Sequence, residues 1–417
     1  MFKSKRLRNT GATIIAILSG SLLNMNLFAQ RDAREIRIDP DRPMGSAVGR
    51  IFGVVRYISL ETTKESTLGR VDKLYVTDSL FIILDYATNN VFLFRKDGKF
   101  HAKINGGPKP EYGGIKFLNI DRQRKTIMFK DARNGIKMYD FDGNLLPDLK
   151  KDRNFEYFHT LRDSVTLYYS LNYDYRKDKK DSLDYELKFY RGDSLSGRAF
   201  SYRNYNKTIR NDDLITGSEG VFFETGNDST VHFIRTYRYQ VYTVSRDSVS
   251  DVYRFVFPRE RSLPQDFLSN PAYYGNRAKY VLSTGAKAIF SILYFYKVKN
   301  LAFFRLQTVD KPRKQSYSFV YNLDTQMLYA VDHIAPDPSN FYLPIGTSNG
   351  FPTANFVTHG FLTTDGNAIY AAASSQEMFA AKDMAAEKNL TYSDDLREYF
   401  ERNTIKSNPV IIQMIPK

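Results

Sequence analysis

The sequence predicts an all-β fold built from a repeated unit of strands. Residues 83–99 align with residues 128–144. In both copies a β-like run is followed by a short polar turn, a second run, and an Asp-Gly hairpin that leads to a third strand. The chain also holds 31 Phe and 30 Tyr, most of them in short strand-like runs. An antiparallel repeat of about 45 residues is typical of a propeller blade.

The repeat can be followed along most of the chain, beginning with the run at 54–60. The first full unit spans 74–104 and the second spans 117–146. Later strand-like runs have longer connections and lie at 165–169, 185–190, 220–223, 231–234, 240–244, 288–290, 301–304, 317–321 and 368–370. Grouped three or four at a time, they give six units. We therefore expect residues 51–417 to form a six-bladed β-propeller.

A short helical insertion near the C-terminus, at residues 374–402, interrupts the β pattern. Ser374 and Glu377 have the spacing of a capping box and precede an Ala- and Met-rich run that favours helix. A second helix is expected to start near Ser393. Residues 408–416 then return to strand. We expect this closing strand to pair with the N-terminal strand, because an open ring would leave unpaired edges.

The N-terminus has the order of charge, apolar run and small residue that is typical of a secretory signal. Four basic residues precede the run 13–18, and Ala29 offers a cleavage site. The alternative is a retained membrane anchor, but polar residues between 19 and 26 interrupt the apolar stretch. We expect a signal peptide at 1–29, a polar segment at 30–50, and a periplasmic or extracellular mature protein with no transmembrane segment.

Composition excludes several classes of function. The chain has no Cys, which rules out disulfides, thiolate metal ligands, a catalytic Cys and the lipid-bearing Cys of a lipoprotein. Its net charge is +14, and removal of the four basic residues of the leader leaves +10. The densest basic cluster, 176–180, is interrupted by an acid, which is typical of a solvated loop. We therefore expect no nucleic-acid partner.

Four segments resemble the bacterial exported six-bladed β-propeller family, which is related to the NHL-repeat propellers. They are Ile58 to Thr63, Asp85 to Gly98, Gly107 to Tyr112 and Asn408 to Val410. The third segment departs from the family's usual Gly-Pro-Gly-Glu pattern at Lys109 and Pro110. The resemblance implies the fold. It implies no particular activity, and binding roles are the usual expectation for this family.

Candidate ligand-binding residues follow from propeller geometry. The turns between second and third strands and the crossovers between blades open on one face, where ligands commonly sit. The residues expected there are Tyr86, Asn89, Asn90, Glu111, Tyr112, Asp131, Arg133 and Asn134. The alternative is structural, since Asn and Asp also supply the hydrogen bonds and positive φ that tight turns require.

No catalytic residue, metal site or cofactor is predicted. The chain lacks a Gly-x-Ser-x-Gly elbow and a phosphate-binding loop, and its histidines have no metal-pair spacing. The five are His101, His159, His232, His333 and His359, and each is expected to be structural or exposed. A metal site in the central channel would need residues from several blades, which sequence cannot bring together.

Asp-Ser followed by Leu, Val or Thr occurs six times, beginning at residues 78, 163, 181, 193, 228 and 247. These triplets resemble an O-glycosylation signal that some bacteria use on exported proteins. They are also ordinary turns that lead into strands.

The leading hypothesis is an exported, monomeric, non-enzymatic module that binds a protein or glycan partner through one propeller face. The runner-up is a channel-centred, metal-dependent enzyme of the lactonase or lyase kind. A third possibility is a scaffold or sensor at the cell envelope.

Overall fold

The structure, a computed structural model, describes residues 28–29, 33–107, 114–115, 117–130, 135–147, 155–170, 185–201, 220–283, 287–309, 317–346 and 360–417. Its strands form six sheets arranged as the blades of a six-bladed β-propeller with few helices. The fold class predicted from the sequence is therefore confirmed.

The N-terminal segment contributes strands to three different blades. It contains β1 (Phe28–Ala29), β2 (Arg34–Arg37), β3 (Met44–Ala47), the short helix α1 (Val48–Ile51) and β4 (Phe52–Ser59). β1 and β2 add in parallel to the outer edge of blade 4, and β3 adds in parallel to the outer edge of blade 5. β4 is the outer strand of blade 6. β1 lies within the segment expected to be a signal peptide, and β2 and β3 lie within the segment expected to be merely polar, so the pattern did not predict them.

The first three blades each contain four antiparallel strands, which follow one another from the channel outward. Blade 1 contains β5 (Lys73–Val76), β6 (Leu80–Asp85), β7 (Asn90–Arg95) and β8 (Phe100–Asn105). Blade 2 contains β9 (Phe117–Asp121), β10 (Thr126–Lys130), β11 (Ile136–Asp140) and β12 (Leu145–Leu146). Blade 3 contains β13 (Tyr157–Thr160), β14 (Val165–Tyr169), β15 (Tyr185–Arg191) and β16 (Ser194–Ser201).

The last three blades have the same order. Blade 4 contains β17 (Phe222–Glu224), β18 (Thr230–Ile234), β19 (Gln240–Ser245) and β20 (Val249–Val256). Blade 5 contains β21 (Ser291–Val298), β22 (Leu301–Gln307), β23 (Ser318–Asn322) and β24 (Leu328–Ala335). Blade 6 contains β25 (Thr363–Thr364), β26 (Ile369–Ala373) and β27 (Val410–Pro416), followed outward by β4.

The remaining α-helices are α2 (Arg277–Ser283), α3 (Ser375–Met384) and α4 (Asp394–Arg402). The predicted capping box at α3 is confirmed, because the Ser374 hydroxyl accepts from the Glu377 amide at 3.2 Å while the Glu377 carboxylate accepts from the Ser374 amide at 2.8 Å. Among the described residues no helix is both long and apolar enough to cross a bilayer.

Middle strands are buried on both faces because each blade is covered by its two neighbours. All six residues of β6 are buried, which explains its unbroken apolar run. Aromatic pairs join neighbouring blades, as in Phe117–Phe158 and Phe255–Phe304, whose ring centroids are 4.9 and 4.8 Å apart. These interdigitated rings form the core.

Antiparallel order places the connections on two opposite faces. The crossover face carries connections 60–72, 86–89, 106–116, 131–135, 147–156, 170–184, 202–221, 235–239, 257–290, 308–317, 336–362 and 374–409. The hairpin face carries connections 77–79, 96–99, 122–125, 141–144, 161–164, 192–193, 225–229, 246–248, 299–300, 323–327 and 365–368. Every inner strand therefore begins at the crossover face and ends at the hairpin face.

The ring closes where the two ends of the chain meet in blade 6. β27 pairs antiparallel with β4, from Val410 opposite Ser59 to Pro416 opposite Phe52. This is the pairing expected from the sequence, and it leaves no gap between the last blade and the first.

Candidate functional site: the central channel and the crossover face

A cavity of about 70 Å³ lies in the central channel and is lined by residues from or beside all six inner strands. A buried water needs roughly 10–15 Å³ on this measure, so the space admits several waters or a small polar group. It is well below the roughly 300 Å³ at which pockets for whole drug-sized ligands begin.

Strand geometry sorts the lining side chains into two layers. On five inner strands the lining residues include positions i and i+2, which point to the same side of a strand, and four of these pairs define the two layers. The layer nearer the crossover face, termed the collar, contains Lys73, Phe117, Tyr157 and Phe222. The layer nearer the hairpin face, termed the floor, contains Tyr75, Asn119, His159 and Glu224.

The collar combines aromatic rings with one cation. The ring centroids of Phe117 and Tyr157 are 5.7 Å apart. The Lys73 ammonium lies 4.9 Å from the ring centre of Tyr294, which also lines the cavity, and donates to its hydroxyl at 3.3 Å. The collar thus offers stacking surfaces and a positive charge.

Two residues of the floor, Tyr75 and Asn119, have side chains that are hydrogen-bonded to other parts of the protein. The Tyr75 hydroxyl donates to the carbonyl of Leu118 at 2.6 Å, and its burial raises the pKa of Tyr75, so the phenol stays protonated. The Asn119 amide nitrogen donates to the Thr160 hydroxyl at 3.2 Å, and its oxygen accepts from the Thr160 amide at 3.3 Å.

His159 differs from these neighbours. It is 7% exposed, its ring lies 5.7 Å from that of Phe222, and within the described residues its ring nitrogens have no hydrogen-bond partner. Burial lowers the pKa of His159, with the nearby Glu224 carboxylate opposing that effect and Arg122 adding to it. The side chain is therefore a neutral imidazole at pH 7, with one donor and one acceptor facing the cavity.

Beyond the floor, contacts between blades close the channel toward the hairpin face. Arg122 pairs with Glu224 at 3.0 Å and donates to the carbonyl of Val76 at 3.2 Å, which joins blades 1, 2 and 4. The turns of blades 4 and 6 also touch, since a Cβ built on Gly226 would lie 2.0 Å from the Gly366 nitrogen. A ligand would therefore reach the cavity from the crossover face.

Three of the predicted binding residues lie in the described part of the chain. Asn89 is 2% exposed, has φ of 56°, donates to the Gly107 carbonyl at 3.0 Å and accepts from the Ile115 amide at 2.8 Å. Asn90 is 7% exposed, and Tyr86 is partly buried against the core between blades 1 and 2. The contacts of Asn89 match the structural alternative, and a ligand-binding role for all three stays a prediction.

The other five predicted binding residues lie outside the described residues, and their role also stays a prediction. They are Glu111, Tyr112, Asp131, Arg133 and Asn134.

Four of the five histidines are described, and the expectation that each is structural or exposed stays a prediction. His159 and His232 are buried, His333 is exposed, and His101 contacts Asp142 at 2.9 Å. His359 lies outside the described residues. Across the described ranges, no group of three or more His, Asp or Glu side chains is placed to hold a metal ion.

The Asp-Ser triplets share one location. The five that are described, starting at Asp78, Asp163, Asp193, Asp228 and Asp247, all lie in or begin from hairpin-face turns, and the sixth lies outside the described residues. This fits their interpretation as turns, and glycosylation stays a prediction.

Sequence reasoning missed the channel residues because they come from strands scattered over some 300 residues of chain. A faint signal exists. Inner strands of five repeats carry a basic or aromatic residue followed two positions later by a polar or tyrosyl residue, as in Tyr157 and His159.

The two faces differ sharply in construction. Hairpin-face connections have two to five residues, whereas the crossover face carries every long connection, including 257–290 and 374–409. The first insertion forms its own small core around Phe267, with Tyr273 and Tyr280 packed against it and Leu282 57% exposed. The second contains α3 and α4.

Comparison with solved structures supports the propeller architecture. The crystal structure of a Bacteroides fragilis NCTC 9343 protein named "Putative exported protein" superposes with a TM-score of 0.64 at 16% identity, covering 92% of this chain and 99% of that one. At this identity the likeness shows the fold alone. The RRP9 WD40 repeats (TM-score 0.37, 9% identity, 90% and 100% covered) and streptogramin B lyase (0.34, 10%, 68% and 74%) are too distant to support an argument.

The chain belongs to the family described as "Domain of unknown function (DUF4934)", whose pattern matches residues 38–413. No curated protein matches it. The relation to NHL-repeat propellers expected from the sequence is not confirmed and stays a prediction.

Proposed function

We propose that this protein is an exported, non-enzymatic binding module that uses its crossover face to hold a protein or glycan partner at the cell envelope. The observation that carries the proposal is the unequal length of connections on the two faces. Loops on a rigid scaffold are where binding residues concentrate, because they vary without disturbing the core.

The connections on the hairpin face, by contrast, are short, and salt bridges join turns of neighbouring blades. Arg162 pairs with Asp228 at 3.2 Å, and Arg246 pairs with Asp163 at 3.3 Å. These bonds hold the blades in place and support a structural role for that face.

Export is supported by the leader-like N-terminus and by the name of the Bacteroides fragilis neighbour. The small volume of the channel cavity favours binding of a group over turnover of a whole substrate within the channel.

The absence of Cys allows a direct test by site-specific blocking. Leu282→Cys in α2 and Met384→Cys at the end of α3 place single thiols on the crossover face, at residues 57% and 62% exposed. Lys99→Cys, in an exposed hairpin-face turn, is the matched control. Each is coupled to a polyethylene glycol chain, and binding to a saccharide panel and to the exported proteins of the host is measured.

We expect the crossover-face conjugates to weaken binding at least about tenfold, or about 1.4 kcal/mol, and the Lys99→Cys conjugate to bind like the unmodified protein. Blocking by the hairpin-face conjugate alone, or no binding to any probe by the unmodified chain, would contradict the proposal.

A further inference from the structure

Two polar side chains in the wall of the channel cavity, His159 and Thr363, have no hydrogen-bond partner among the described residues. Tyr75 and Asn119 are hydrogen-bonded within the protein, and Glu224 is paired with Arg122. His159, although more than nine-tenths buried, has both ring nitrogens unmatched among the described residues. Neither nitrogen is sealed from the cavity, so a water or a ligand group in the cavity can hydrogen-bond to His159 in place of a protein partner.

The charges at the two ends of the cavity decide the class of ligand. Lys73 in the collar would repel a cation entering from the crossover face. Glu224 in the floor would repel an anion that reached His159, although its pairing with Arg122 reduces that repulsion. Lys73 disfavours a cation, and the Glu224–Arg122 ion pair offers an anion no uncompensated positive charge beside His159, so a neutral group is favoured.

The hydrogen-bonding groups of the cavity narrow the class of ligand further. A neutral imidazole offers one donor and one acceptor, the Lys73 ammonium donates, and the Glu224 carboxylate accepts. A hydroxyl group both donates and accepts, so it can satisfy each of these groups. The aromatic rings of the collar, Phe117, Tyr157 and Phe222, provide faces on which a sugar ring can stack.

We propose that the channel cavity is a saccharide subsite in which hydroxyls of a neutral sugar end bind His159 while the sugar ring rests against the collar. At about 70 Å³ the cavity takes one or two hydroxyl-bearing carbons and leaves the rest of the glycan on the crossover face. The hydroxyls replace the waters that otherwise occupy such a polar space and reproduce their hydrogen bonds. This inference rests on the proposed function and selects a glycan as the partner.

The test uses sugars that share a ring and differ in charge. Glucose, galactose, mannose and N-acetylglucosamine are the neutral probes, glucuronate and glucosamine are the charged counterparts, and glycine is the zwitterionic control. Binding to the full mature chain is measured by calorimetry. The nitrogen resonances of the His159 ring, assigned by their loss in His159→Phe, are followed in parallel in the unmodified protein.

We expect at least one neutral sugar to bind and to shift the His159 resonances, with glucuronate and glucosamine at least tenfold weaker. His159→Phe should weaken binding at least tenfold. His232→Phe is the matched control, because His232 is equally buried but bonded to the Thr243 hydroxyl at 3.2 Å outside the cavity lining. It should leave sugar affinity unchanged.

Several results would overturn the inference. They are no shift of His159 with any neutral sugar, tighter binding of glycine or a charged sugar, or equal binding by a folded His159→Phe. If His159→Phe does not fold, the resonances of the unmodified protein still decide. A protein partner blocked by the Leu282→Cys conjugate, together with no response of His159 to sugars, would leave the proposed function standing and remove this inference alone.

Discussion

Asn408 holds the two ends of the chain together. Its side-chain oxygen accepts from the Leu68 amide at 3.0 Å, and its nitrogen donates to the carbonyls of Glu61 and Ser66 at 2.8 and 2.9 Å. The residue is 2% exposed. Two segments that stood out in the sequence, 58–63 and 408–410, are therefore joined in space, because Asn408, just before β27, binds the backbone of the crossover that follows β4.

We predict that Asn408→Ala lowers the free energy of unfolding by about 2–4 kcal/mol, because it removes three hydrogen bonds and leaves the Leu68 amide and the Ser66 carbonyl without their side-chain partner, whereas the Glu61 carbonyl keeps the Ser66 hydroxyl. Denaturant titration of the mature chain measures the change. Asn367→Ala, at an exposed turn position, is the control and should change stability by less than about 0.5 kcal/mol. Equal stability of the two variants would show that Asn408 does not secure the closure.

The turn residues predicted to bind a ligand show what sequence alone cannot decide. Asn and Asp side chains in the turn 85–90 suit both ligand binding and local hydrogen bonding, and residue type does not distinguish these two roles. The structure shows Asp85 accepting from the Gly69 and Ala87 amides, and Asn89 binding the next crossover. Only the position of Asn89 in the folded chain, beside Gly107 and Ile115, reveals its partners.

Among the elements, the hairpins of blades 4 and 6 meet at the closed end of the channel. Gly226 has φ of 80°, a conformation that costs other residues about 1–2 kcal/mol, and its Cα faces the Gly366 backbone. No side chain fits at Gly226. A Cβ on Gly366 would meet the Gly226 backbone at an ordinary 3.5 Å, so at that position it is the φ of 89° that favours glycine.

Gly226→Ala is expected to lower the free energy of unfolding by more than about 2 kcal/mol, since the hairpins must separate as well as accept the strained φ. Gly192→Ala is the matched control. Its φ of 55° is also positive, but a Cβ there meets nothing within 4 Å, so only the backbone cost of about 1 kcal/mol applies. Thermal or denaturant unfolding compares them, and equal losses would indicate that the hairpins do not touch.

Element prediction succeeded where local pattern and tertiary role agree. β6 and β7 are unbroken apolar runs joined by a polar turn, and α3 carries its own capping box. β2 and β3 were missed because they add in parallel to an outer edge, with most residues not fully buried, so neither alternation nor an apolar run marks them. Their position depends on blades 4 and 5, which lie more than 180 residues away.

At the scale of the whole molecule, the sequence repeat predicted the ring of six blades but not the residues that line the channel cavity. The collar and floor assemble from four inner strands, and what brings them together is closure of the ring. His159 looked like one more isolated histidine in the sequence. Its significance comes from the cavity beside it and from the missing hydrogen-bond partner among the described residues.

The hairpin face is therefore closed by contacts between its turns. The crossover face carries the long connections and leads to a cavity that has no opening at the hairpin face. Hydrogen exchange of backbone amides in the mature chain, with and without a bound partner, tests this division most directly. The account predicts slower exchange in 257–283 and 375–402 when the partner is bound, with 77–79, 122–125 and 246–248 unchanged. Protection confined to the hairpin-face turns would contradict it.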